Sequence, residues 1–400
     1  MEKEKKKIGL LPKLIIAIIL GIVIGMLSKE VLNTDVIIRL GATFNGIFGN
    51  FLNFAIPLII IGFVVPGIAD LGTGAGKTLA LTALVAYIST IMAGSIAYFT
   101  DTAIFPSFLE VGSIVMDNAQ NAEETMLSGF FQIEMPPVME VMTALLIAFT
   151  LGLGIAVTDN KPLRDVFNGL QDIITKLVTS IIIPLLPFHV YGIFANLTFA
   201  GTVFEIMTVF IKVFGIILIL HFAILIIQYT IAGAVAKKNP FMLIKNMIPA
   251  YFTAIGTQSS AATIPVTVDC TKKNGVVDRI AEFVCPLCAT IHLSGSTITL
   301  TSCSIAIMLL NGWDVSFGSM LPFILMLGVT MVAAPGVPGG AVMAALGILE
   351  SMLHFNEPML ALMIALYIAQ DSFGTACNVT GDGAIAVFMD AISSKEEKAQ

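Results

Sequence analysis

Long apolar runs separated by short polar breaks organise this chain: Leu14 to Leu27, then about 39–69, 78–100, 127–157, 165–196, 203–236, 280–310 and 357–390. They are unbroken, whereas a membrane β-barrel strand alternates polarity over about ten residues, so the backbone must satisfy itself as helix. Several runs exceed the roughly 20 residues that a perpendicular crossing needs, which predicts tilted or broken helices. Two further segments do not fit as simple spans. The stretch from Pro240 to Asp269 is too short to cross twice, and its middle, Gly256-Thr-Gln-Ser-Ser-Ala-Ala-Thr-Ile-Pro265, is too polar for lipid. From about 320 to 352, two apolar arms flank Ala334-Pro-Gly-Val-Pro-Gly-Gly340. Each predicts a re-entrant hairpin.

Charge orients these elements, because lysine and arginine stay on the cytoplasmic side. No Lys or Arg occurs between Lys77 and Lys161, and the segment near 101–126 carries Asp101, Glu110, Asp117, Glu123 and Glu124, as an outside loop would. Basic groups recur after every second crossing, at Lys161 and Arg164, at Lys237, Lys238 and Lys245, and at Lys272, Lys273 and Arg279. The expectation is an all-α polytopic membrane protein with eight transmembrane helices, both termini cytoplasmic, and two hairpins, 240–269 and 320–352, entering from opposite faces. Non-helical backbone at membrane depth needs protein or a water-filled cavity around it, so the two tips should meet at a polar site. Paired, Gly/Pro-interrupted segments of opposite orientation point to a secondary transporter's binding site.

Composition excludes the main rivals. With 57% hydrophobic and 12% charged residues, the chain lacks the charge to cover a water-soluble surface. A net charge of -7 with scattered basic clusters gives no nucleic-acid signal. The five cysteines, Cys270, Cys285, Cys288, Cys303 and Cys377, lie in or beside apolar segments and read as reduced packing residues. Lys3 to Lys7 with Lys13 precede the first apolar run, but no small-x-small cleavage site follows, so the run reads as a first membrane helix rather than a signal peptide. Gly72-Thr-Gly-Ala-Gly-Lys-Thr78 mimics a phosphate loop but has Leu71 where the motif needs its first glycine. An intramembrane hydrolase using Ser294 or Ser296 with His292 lacks the glycine of a nucleophile turn. No enzyme and no resident cofactor is expected, while a passive channel is separated from a pump by accumulation against a gradient.

The tip Ser259-Ser-Ala-Ala-Thr-Ile-Pro-Val-Thr267, the tip Gly336-Val-Pro-Gly-Gly340 and Asp371-Ser-Phe-Gly-Thr-Ala-Cys-Asn-Val-Thr-Gly-Asp382 together resemble the dicarboxylate/amino acid:cation symporter family, the glutamate-transporter-like group, over essentially the whole chain. The resemblance implies a plasma-membrane homotrimer working as an inverted-repeat, elevator-type symporter driven by sodium or protons. Scaffold helices would occupy approximately 8–70 and 127–200. The mobile region would occupy 75–100 and 203–392, with the second hairpin as gate. It further implies that Asp371 binds a substrate amino group, that Asn378 binds the α-carboxylate, and that Thr375, the first tip (Ser259, Ser260) and the second tip (Val337, Pro338, Gly339) complete the site. An intramembrane carboxylate at 371 needs a cation to offset its desolvation, which an ammonium supplies, although pairing with a neighbouring helix is the plainer alternative.

Departures from the family pattern carry as much information. Acidic-substrate members place an arginine three residues after that aspartate, and here the position is Gly374. Without that clamp a second substrate carboxylate would be buried unpaired, which favours a small neutral amino acid such as serine, threonine or alanine. Glutamate, aspartate or a C4-dicarboxylate is the alternative. Residues 371, 374, 375 and 378 share one helix face, so a side chain at 374 would be expected to enter the same cavity. The family's Asn-Met-Asp-Gly-Thr motif reads His292-Leu-Ser-Gly-Ser296, removing a carboxylate from one sodium site, and Val85 and Ala86 stand where third-helix hydroxyls are expected. Asn378 and Asp382 are retained as sodium candidates. His292 could instead exchange protons with Asp382, or be a histidine bonded to a carbonyl. His189, His221 and His354 read as packing or interface residues.

Overall fold

With no water in lipid to satisfy backbone amides, the apolar runs must fold as helices. A computed structural model describes residues 10–71, 76–109, 111–112, 127–201, 203–332, 334 and 339–399, and contains no strand among them. The first elements are α1 (Leu10–Met26), continued by a π turn at Leu27–Val31, then α2 (Val36–Leu71), α3 (Gly76–Ile104) and α4 (Val141–Thr158). Next come α5 (Lys161–Leu177) and α6 (Ile183–Ala200), joined through a π turn at Val178–Ile182, and α7 (Val203–Ala236). The remainder is α8 (Pro240–Thr257), α9 (Ser260–Lys273), α10 (Asp278–Ile291), α11 (Ser294–Leu310), α12 (Phe317–Val332), α13 (Gly340–Leu353) and α14 (Glu357–Ala399). Gly72 to Ala75, most of the phosphate-loop mimic, lie outside the described residues.

Seven helical stretches among the described residues are long and apolar enough to cross a membrane. The chain is a membrane protein. The expected run 127–157 is not one of the seven, because residues 127–140 are not helical and α4 begins only at Val141. Adjacent prolines, Pro136 and Pro137, remove two amide donors and push the preceding residues out of the helical region. The extended segment bonds instead to side chains of α2 and α6: Phe130 N donates to Thr43 Oγ1 at 2.8 Å, Asn50 Nδ2 to Ile133 O at 2.8 Å, and Leu127 N to Asn196 Oδ1 at 3.0 Å. A second correction concerns Asp101, which is not in an outside loop but inside α3, with no exposed surface. Thr102 and the apolar Ala103 and Ile104 carry α3 on past it, so the sequence run continues as helix.

Residues 240–273 and 317–353 each form a pair of helices packed on one another. In the first, Gln258 takes a left-handed conformation (φ 52°) and Ser259 caps α9 by accepting from Ala262 N at 3.2 Å. In the second, Gly339 (φ 74°) opens α13, a conformation that L side chains resist. α1, α2, α4, α5 and α6 pack among themselves, while α3, α10, α11 and both helix pairs gather with α7 around the long α14. α13 touches α2 and α4, and α14 touches α6, so these helices join the two groups. Apolar side chains such as Ile15, Ile19, Ile219 and Phe222 point outward, as lipid contact requires. All five cysteines are buried free thiols.

Candidate functional site

One face of α14 carries Tyr367, Asp371, Thr375, Asn378 and Asp382, each at most 5% exposed. Polar groups so placed are costly unless partnered. The partners are the backbone openings of the neighbouring elements. Asp371 Oδ2 accepts from Gly339 N at 2.7 Å, so the left-handed glycine that starts α13 presents its amide to the carboxylate. Thr375 Oγ1 stands 3.5 Å from Asp371 Oδ1. No Lys or Arg pairs with Asp371 among the described residues; its neighbouring-helix partner is the Gly339 amide.

Deeper along the face lies the break between α10 and α11. His292 and Leu293 leave helical geometry (φ -120° and -118°), which frees the first amides of α11. Asn378 Oδ1 accepts two of them, from Gly295 N at 2.8 Å and Ser296 N at 3.2 Å, while its Nδ2 donates to Ser296 Oγ at 2.9 Å. Tyr367 OH donates to the same Ser296 Oγ at 2.9 Å. The Asn378 side chain is thus committed to holding the broken helix, and any ligand it binds must share or displace these donors.

Close approach of backbones explains the glycines. A Cβ on Gly295 would lie 2.5 Å from Gly374 O and 2.6 Å from Cys377 Cβ, which is impossible without movement. A Cβ on Gly374 would meet Ser296 N at 3.7 Å and Gly295 C at 3.8 Å, ordinary contact. Position 374 therefore faces the start of α11 beside Asn378, and its first carbon fits.

The third part of the face is a polar cluster with no exposed surface on either central member. His292 Nδ1 lies 2.9 Å from Asp382 Oδ1, and Asp382 Oδ2 has no hydrogen-bond partner among the described residues. The other imidazole nitrogen, Nε2, is 3.1 Å from Ser89 Oγ on α3. Gln228 of α7 donates through Nε2 to Ser89 Oγ at 2.9 Å and Ser294 Oγ at 3.2 Å. α3 therefore does supply a hydroxyl here, one turn beyond Val85 and Ala86. No cluster of three or more His, Cys, Asp or Glu occurs among the described residues, so a cation here would rest mainly on hydroxyl, amide and backbone oxygens.

Of the other expected residues, Ser260 is buried at the start of α9, which packs on α14, and Ser259 spends its hydroxyl as the cap. Val337 and Pro338 lie outside the described residues. Sequence reasoning missed Ser89, Gln228 and Tyr367, weighed Ser296 only as a hydrolase nucleophile and within the His292–Ser296 motif, and set His221 aside. His221 Nε2 lies 3.0 Å from Gly295 O and 3.2 Å from Thr299 Oγ1, so it braces the α11 opening. The available signal was a polar residue inside an apolar run, as at Gln228 and His221 in α7. His189 bonds Asn45 at 3.1 Å, and His354 ends α13 in left-handed geometry, neither at the site.

A family model described as the sodium:dicarboxylate symporter family matches residues 10–392. The chain belongs to that family. Members of this symporter family are transporters, not enzymes, and the hydrolase and ATPase alternatives fall with that assignment. Among its relatives, the serine/threonine transporter SstT of Acinetobacter baumannii is 25% identical over 392 residues, 94% of this chain and 95% of the relative. Excitatory amino acid transporter 1 of Ambystoma tigrinum is 28% identical over 305 residues, 74% of this chain and 54% of the relative. The mouse transporter of the same name is 29% identical over 297 residues. The chain spans about half the length of these excitatory amino acid transporters.

Proposed function

We propose that this family member couples uptake of a small neutral amino acid, serine, threonine or alanine in size, to a sodium or proton gradient. The observation that carries the reading is Asp371: a buried carboxylate with no cationic partner among the described residues, held by a single backbone amide at 2.7 Å. An ammonium would satisfy it. Gly374, one turn along the same face, adds no charge, and similarity to a serine/threonine transporter over nearly the whole length supports the same substrate class.

The packing is consistent with an alternating-access cycle. The α12/α13 pair closes over Asp371 through Gly339, so substrate entry requires that contact to part. On this reading α3 and α7 to α14 move together against a scaffold of α1, α2, α4, α5 and α6, in a homotrimer of the plasma membrane with eight crossings and both termini cytoplasmic. Coupling is assigned to the His292, Asp382 and Asn378 region, where one carboxylate oxygen is free to take a cation or proton. The His292–Asp382 contact of 2.9 Å favours the proton. Uptake of labelled amino acids into proteoliposomes, under imposed sodium or proton gradients, tests both halves. Transport of aspartate, glutamate or a C4-dicarboxylate in preference to serine would establish the alternative that the family description suggests.

A further inference from the structure

Asp101 stands apart from every group used so far. It lies in the last turn of α3, has no exposed surface, and neither carboxylate oxygen has a hydrogen-bond partner among the described residues. Such a group would be among the most costly in the protein if it were ionised and unpaired.

Its surroundings are set by the register of α3 on α11. Ser89 meets His292 at 3.1 Å, a Cβ on Gly94 would meet Thr297 Cγ2 at 3.1 Å, and Gly112 N donates to Leu309 O at 3.0 Å. Between these points Asp101 faces Ser302, whose Oγ is also buried without a partner, with Cys303 nearby. Gln370 of α14 reaches Cys303 Sγ at 3.7 Å, and its own Oε1 is unpartnered.

No counter-charge faces it among the described residues. Lys and Arg are absent from 78–160. Lys212 of α7 sits 5.4 Å from the Phe108 ring centroid and makes no ion pair with Asp101, and Arg39 of α2 is taken by Asp35, Ser128 O and the Phe130 ring. α12 contains no titratable residue, and the charged residues of α10, Asp278, Arg279 and Glu282, lie at its opposite, inner end. Within α3 the nearest titratable group is Tyr98, which donates to Val315 O at 3.0 Å and feels Asp314. On α14, Asp371 follows Gln370 but is engaged by Gly339.

We propose that Asp101 is a second proton-binding site, holding a proton taken from solvent as a neutral carboxylic acid between α3 and α11. A metal cation needs a cage of several oxygens, whereas among the described residues the side chains facing Asp101 supply one hydroxyl, Ser302, and one thiol, Cys303. A proton needs only one carboxylate oxygen, and the resulting O–H has the Ser302 hydroxyl as its acceptor. The inference is independent of the substrate and of His292.

Infrared spectra of the purified full-length protein at neutral pH test it, comparing wild type with Asp101→Asn. The expected result is a carboxylic C=O absorption, shifted in heavy water, that is present in wild type and lost in the variant. Asp101→Glu, which moves the same band without removing it, serves if the asparagine variant fails to fold. Loss of ionised-carboxylate bands instead would overturn the proposal. So would a wild-type spectrum in which only sodium addition perturbs that carboxylate, which would make the site a metal site.

Discussion

Replacing Asp371 by asparagine separates a substrate ligand from a structural residue. The carboxylate accepts from Gly339 N at 2.7 Å, has Thr375 Oγ1 at 3.5 Å, and lies beside the Tyr367 hydroxyl. An asparagine oxygen can keep the first as a neutral hydrogen bond, so the fold loses about 0.5–1.5 kcal/mol at most. The substrate's ammonium loses its buried counter-charge, which costs about 3–5 kcal/mol. At about 1.4 kcal/mol per tenfold in affinity, the expected weakening is roughly two to three and a half decades. Isothermal titration of detergent-purified wild type and variant with serine measures it, and size-exclusion chromatography with a thermal melt checks assembly. A variant that melts and elutes like wild type but has lost binding matches the reasoning. Binding within threefold of wild type would refute it, and so would a variant that unfolds, because the carboxylate would then be holding α13 in place rather than awaiting a ligand.

Four other substitutions follow from contacts at the same site. Gly374→Arg, whose first carbon meets the α11 backbone at 3.7 Å, should raise aspartate or glutamate uptake relative to serine in proteoliposomes, with a thermal melt checking that it folds; a folded variant with unchanged preference moves the specificity determinant elsewhere. His292→Asn should abolish stimulation of uptake by an inward proton gradient and make uptake sodium-dependent, whereas a wild type that already requires sodium and ignores pH assigns the imidazole a purely structural part. Gly295→Ala should lower the melting temperature sharply, since overpacking costs about 1–3 kcal/mol even where side chains can give way and here the obstacle at 2.5 Å is the Gly374 carbonyl. Gly374→Ala, with no contact below 3.7 Å, should melt close to wild type.

Much of this protein is legible along the chain because lipid imposes a one-dimensional rule: apolar length decides what crosses, and polar or Gly/Pro interruption decides where helices break. The two interrupted helix pairs and the polar face of α14 follow from that rule, and the motifs around Ser259, Gly339 and Asp371 add the family, whereas the break at His292 falls inside a run that reads as one apolar span. The rule misplaces what depends on neighbours. Residues 127–140 are apolar enough to count as membrane, yet two prolines and the side chains of Thr43, Asn50 and Asn196 hold them extended. Asp101 looks like the start of an acidic loop because charge in a sequence carries no depth; only the packing of α3 on α11 places it in the interior. Gly374 shares a helix face with Asp371 and Asn378, as spacing requires, but a helical wheel does not show that the start of α11 lies against that face. Ser89 and Gln228 are 139 residues apart in sequence and 2.9 Å apart in space, and both converge on His292. Hydrophobicity acts residue by residue and can be read from a string, whereas a hydrogen bond or a counter-charge is a pairwise distance that exists only once the helices have packed.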